Sequence, residues 1–133
     1  MNQVVLTTTQ KVEFLLPELR AMPQVDCNTK HHFGPGLYIR EVTMPAGTVV
    51  IGKAHKAEHM CVMLQGKMVL IAEDGSKKEV KAPLTFVGTP GRKVAYIVED
   101  TVFQNIFVTD ETDVEKLENM LVDNTQPLLE QGD

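Results

Sequence analysis

Apolar and polar positions change period three times along the chain. Val12, Leu15, Leu16 and Leu19 recur at helical spacing, but Pro17 cuts the run. This predicts only a short helix or helical turn over 11–22, restarting at Pro17 as a first-turn residue. Residues 1–10 are β-branched and polar and read as an edge strand or a mobile arm, and 23–36 is rich in turn formers. From Gly36 onward the period is two. Strand material covers 37–44, 48–52, 59–64, 67–73, 78–81, 83–87, 93–98 and 101–108. Pro45-Ala46-Gly47, Gln65-Gly66, Asp74-Gly75 and the corner from Gly88 to Gly91 separate these runs, with Asp74-Gly75 a two-residue hairpin signal. Short strands with turns at regular intervals predict an all-β, antiparallel sandwich or barrel. The period then returns to helical. Thr112-x-x-Glu115 reads as a capping box, and Val114, Leu117 and Leu121 form one face of a helix over about 112–122. The pattern describes one domain over 1–133, with a core at about 31–109 and a mobile polar tail at 124–133.

Composition narrows the partners. The 133 residues carry a net charge of −5, which opposes binding to nucleic acid because phosphate contacts need a basic face. Lys77-Lys78 and Arg92-Lys93 are interleaved with acids and read as solvated strand edges. No run approaches the ~18 apolar residues of a membrane span, and MNQVVLTTTQ lacks the basic and apolar regions of a signal peptide. A cytoplasmic setting is expected. Cys27 and Cys61 are far apart and form no CxxC pair, so Cys61 reads as a buried, inert thiol.

The candidate chemistry lies between Gly47 and Gly66, in GTVVIGKAHKAEHMCVMLQG. His55-Lys56-Ala57-Glu58-His59 matches the H-x-x-E-H pattern of inverted zinc proteases, in which Glu58 would act on a metal-bound water. That chemistry needs a helix, and the flanking Val49, Val50 and Ile51 oppose one. On one straight strand the two histidines would stand ~13 Å apart, whereas nitrogens sharing one ion lie within about 4 Å of each other. A reversal at Lys56-Ala57-Glu58 resolves this. His55 then ends one strand, His59 begins its antiparallel partner, and the imidazoles converge across the pair. His31-His32 sit in a turn-rich loop where local hydrogen bonding is the ordinary role, with His32 as a further pocket candidate. Met60, Met63 and Met68 read as core filler.

This segment resembles the first motif of the cupin superfamily: a glycine, an HxH pair, a glutamate and a closing glycine. Gly47 and Gly66 match the outer glycines and His55 the second histidine, while His59 stands in the glutamate's place and Lys53 in that of the first histidine. Of the second motif only Thr89-Pro90-Gly91 is echoed, with Val94 and Val98 where the family has histidine and asparagine. Over roughly 31–122 the chain is similar to single-domain cupin-like proteins of tailed phages and bacteria. The resemblance implies a jelly-roll barrel and a divalent ion (Fe, Mn, Ni or Zn) on His55 and His59, or no ion at all. Lys53 would favour an anionic ligand, and Tyr96 and Gln104 fall on late strands that line the barrel in the family.

Two functions follow as expectations. One is a pocket for a small polar or anionic molecule, metal-assisted or not, with Glu58 as an acid–base candidate and no reaction assigned. The other is a non-catalytic module that assembles as a homodimer or larger homo-oligomer, with a host-cytoplasm setting if phage-encoded.

Overall fold

The computed structural model describes residues 6–52 and 54–122, so Lys53 and the tail at 124–133 lie outside the described residues. Seven antiparallel strands, β1 (Lys30–Gly34), β2 (Leu37–Met44), β3 (Val49–Ile51), β4 (His59–Ile71), β5 (Lys77–Lys81), β6 (Leu84–Gly88) and β7 (Val94–Val108), lie between α1 (Thr8–Ala21) and α2 (Val114–Leu121). The antiparallel all-β barrel expected from the pattern is present, in the jelly-roll form that the resemblance implies.

Two long strands organise it. The sequence predicts breaks at Gln65-Gly66 and between 98 and 101, but β4 and β7 each run through and pair with one another from Met60↔Ile106 to Ile71↔Val94. The turn residues act instead as bulges, at Met63/Gln65, Gln65/Lys67 and Lys67/Met68. Bulges bend a strand without ending its ladder. Each half of the bent pair recruits its own neighbours. The first half of β4 takes β6 and the late half of β7 takes β2, which pairs with β1. The second half of β4 takes β5 and the early half of β7 takes β3. Two arms result, and the side chains on their facing sides make the core of Val42, Met44, Met63, Met68, Val80, Ala95 and Ile97.

Gly66 makes the bend possible. Its φ is +104°, and a Cβ there would clash with Thr101 Oγ1 and lie 2.5 Å from the Asp100 carbonyl oxygen. Thr101 is fully buried beneath it, its hydroxyl donating to Glu99 O at 2.8 Å.

The helices depart from expectation at their ends. α1 starts at Thr8, because Thr7 caps it, so 8–10 are helical rather than part of a strand or arm, and the rest of that expectation at 1–5 lies outside the described residues. The Thr7 hydroxyl accepts from Gln10 N at 3.1 Å and Gln10 Oε1 accepts from Thr7 N at 2.9 Å. The helix also runs through Pro17 to Ala21. The carbonyl that Pro17 cannot serve is that of Glu13, and both residues are exposed, so the position costs little burial of an unpaired group. Val12 and Leu16 meanwhile bury against Ile51 and Val94. α2 starts one residue later than the Thr112 box implies, with Asp113 accepting from Lys116 N at 3.2 Å. β1 was not expected, and it places His31 and His32 on a strand instead of in a loop.

Gly66→Ala should lower unfolding free energy by about 3 kcal/mol or more, since strain and overlap combine. Gly75→Ala, at φ +84° with open space around the added methyl, should lose only about 1 kcal/mol. Urea midpoints compare the two.

Candidate functional site

The arms enclose a cavity of about 630 Å³. Its polar end follows from strand register. Arg40 on β2 pairs with Asn105 on β7, Asn105 with Cys61 on β4, and Cys61 with Phe86 on β6. All four side chains line the cavity, as alternation on a shared face requires. The neighbouring row is Tyr38↔Phe107 and His59↔Gly88. The row on the other side, Val42↔Phe103, is apolar and continues into Met44 and Met68. The cavity therefore grades from a polar end to a hydrocarbon floor.

His55 and His59 meet at that polar end, with ring centroids 4.3 Å apart, and Phe107 stacks on both at 5.9 and 4.8 Å. The expected convergence of the imidazoles is present, but not through a β-hairpin. β3 pairs with β7 on one arm and the start of β4 pairs with β6 on the other arm, so β3 and β4 form no ladder with one another. The backbone at His55 is pinned from two sides. Its carbonyl accepts from Gly91 N at 3.0 Å, and Lys56 N donates to Leu121 O at 3.0 Å. The C-terminal end of α2 thus positions the histidine, while Leu117 and Leu121 pack on Tyr38 and Phe107.

His59 Nε2 lies 2.9 Å from Asn105 Oδ1 and its Nδ1 3.4 Å from Ala57 O, and the Cys61 thiol donates to the same Asn105 oxygen at 3.6 Å. Cys61 Sγ also lies 3.5 Å from His59 Nε2. One nitrogen faces both thiol and amide, so His59 cannot take the thiol's proton while an amide orients it from the other side. Burial, partly offset by Lys93, pushes the Cys61 thiol up to about 11. This cysteine stays protonated and is no nucleophile. Gly88 permits the packing, since a Cβ there would sit 2.8 Å from Cys61 Sγ and 3.0 Å from His59 Cε1.

His55 is the most perturbed of these groups. Burial first, then His59, Arg40 and Lys93, push its pKa down to about 3. It is neutral at physiological pH, and its Nδ1 is buried with no hydrogen-bond partner among the described residues.

The remaining candidates fall elsewhere. His32 is exposed on the outer side of β1, its Nε2 3.5 Å from Glu41 Oε1, and does not line the cavity. Gln104 donates to the same Glu41 oxygen at 2.7 Å and, like Tyr96, is absent from the lining. Both have the opposite parity to Ala95, Phe103 and Asn105, which do line it. Glu58 is exposed and lies off the cavity. The zinc-protease reading fails because residues 54–58 are not helical and β4 begins at His59. Lys53 lies outside the described residues.

A divalent centre on His55 and His59 does not fit this donor set. Among the described residues no three His, Cys, Asp or Glu side chains group to hold a metal ion. His59 Nε2 is engaged by Asn105, Cys61 is a thiol rather than a thiolate, and Arg40 and Lys93 bring positive charge to the cavity. Sequence reading missed Arg40 and Asn105, although a signal existed. Each is the polar member of an apolar phase, in Tyr38-x-Arg40-x-Val42 and Phe103-x-Asn105-x-Phe107.

Solved structures share this architecture. A double-stranded β-helix protein from Klebsiella pneumoniae aligns with TM-score 0.55 at 11% identity over 72% of this chain and 89% of its own. A cupin domain from Bordetella pertussis aligns at 0.51 and 14%, over 67% and 99%. KdgF from a Halomonas species aligns at 0.51 and 18%, over 71% and 93%. These likenesses show a cupin-type double-stranded β-helix fold. No protein-family model matches the chain, and no curated protein matches it.

The depressed His55 pKa has a stability consequence. Between pH about 6.5 and about 3 the unfolded chain binds a proton there that the folded chain refuses. Stability from this group is thus complete above about 6.5 and is lost as pH falls toward 3, by up to about 1.4 kcal/mol per pH unit. Unfolding of His55→Gln should show a flatter pH dependence than wild type over that window. Parallel curves would place His55 in water.

Proposed function

We propose that this protein binds a small organic molecule in the barrel cavity, held directly by side chains and without a resident metal ion. The observation that carries the reading is the buried, unpartnered His55 Nδ1 at the polar end of a cavity whose other walls are largely apolar. A buried polar nitrogen left unsatisfied destabilises by about 1–3 kcal/mol, and a ligand group placed against it removes that penalty. A cavity of this volume suits a ligand of metabolite size. The cupin fold supports the reading, since its barrel interior offers such a space. The neutral His55 imidazole and the protonated Cys61 thiol make the site one for recognition, and no reaction is assigned.

A second reading, self-association as a homodimer or larger assembly, is favoured by the outer face of one arm. Ile39, Ile106, Met60 and Val87 form one cross-strand row there, with Met60 41% and Val87 50% exposed. Such a stripe is more apolar than a solvent-facing sheet ordinarily carries.

Protein purified without a histidine tag should contain substoichiometric Fe, Mn, Ni and Zn, and a chelator should leave its melting temperature unchanged. A fitting small molecule at a hundred times its Kd should raise the melting temperature by about 10 °C. Stoichiometric metal that disappears in His55→Ala would overturn the metal-free site. For the second reading, light scattering should give a mass above one chain that falls to one chain in Val87→Lys. A wild-type monomer at micromolar concentration refutes it.

A further inference from the structure

We infer that the cavity's occupant is a small monocarboxylate with an aromatic or branched apolar body, its carboxylate seated beside Arg40 and Asn105 and its body over Phe103 and Met68. This rests on the binding reading above and adds the ligand's chemistry.

The polar end carries more donors than acceptors. Asn105 Oδ1 is already used twice, by His59 and by Cys61, which leaves that amide only its NH₂ to offer. Arg40 stands beside Asn105 in the same cross-strand row and contributes donors alone. Lys93 also lines the cavity, and its ammonium donates to Thr89 O at 3.1 Å with further protons to spare. Among the described residues the charged groups on the lining are these two cations and Glu118, so their sum is positive by one, and His55 and His59 also line the cavity. His55 adds no charge, because burial holds it neutral. A donor-rich end with one net positive charge matches a monoanion, and a planar guanidinium matches a planar carboxylate.

The opposite end sets the rest of the ligand. Beyond the Arg40 row the lining includes Val42, Phe103, Met44 and Met68, whose side chains offer no hydrogen bond to a sugar or a polyol. A hydroxylated body would leave its hydroxyls unpaired there, whereas a ring or branched chain buries against aromatic faces and thioethers. The site therefore selects on both halves of the molecule.

The test uses full-length protein with ¹³C-methyl methionine, because Met44 and Met68 report on the cavity floor. Phenylacetate and the uncharged, similarly shaped phenylacetamide are titrated separately. Phenylacetate should move both methyl signals and bind at least ~10-fold tighter than the amide, about 1.4 kcal/mol. Arg40→Met should abolish that preference while the amide still shifts Met68, and Arg40→Lys should restore part of it. Lys93→Met, a change at the second cation, should reduce the preference independently if Arg40→Met does not fold. Equal affinity for acid and amide, or a preference untouched by either substitution, overturns the carboxylate assignment while the cavity reading stands. If neither probe moves either methyl and the purified protein holds stoichiometric metal, both readings fall.

Discussion

The full-length pairing of β4 with β7 is the constraint on which the rest of this structure depends. A flat two-stranded ribbon of that length would expose both faces, and neither face alone could bury the apolar residues it carries. Bulges around Gly66 bend the ribbon, so that its two halves belong to facing arms. The bend works only because β7 can approach to within contact of a residue without a side chain. Once it exists, the short strands need only add to the edges of each arm, and the inner faces close on one another.

The same geometry explains how a polar cluster persists inside an apolar barrel. Register sets Arg40, Asn105 and Cys61 side by side, and each shared hydrogen bond lowers the penalty of burying the next group. Asn105 is the hub, because its carbonyl oxygen meets an imidazole nitrogen and a thiol together. His55 is left out of this network, held by its backbone to Gly91 and its neighbour to α2 instead. An imidazole in that position stays neutral because water cannot reach it well and cations stand nearby. The polar end therefore resembles a binding surface more than a metal cage or a nucleophilic triad.

Period-two alternation, turn signals and the terminal helical stripe determined the all-β class, most of the strand segments and the presence of α2 without reference to any coordinates, because those features depend on residues close in sequence. The approach of His55 to His59 was anticipated by a chain reversal at Lys56-Ala57-Glu58, although the hairpin expected there is not formed. Tertiary structure alone decided the rest. Propensity could not tell whether Gly66 ends a strand or bends one, because the answer lies in Thr101, distant in the chain. Nor could it tell that Pro17 would be carried within a helix, because burial of Val12 and Leu16 on the barrel supplies the stabilisation. Which face of β7 looks inward, and so whether Gln104 or Asn105 meets a ligand, depends on register against β2 and β4. A shift of one residue exchanges the two faces, and only long-range pairing fixes it.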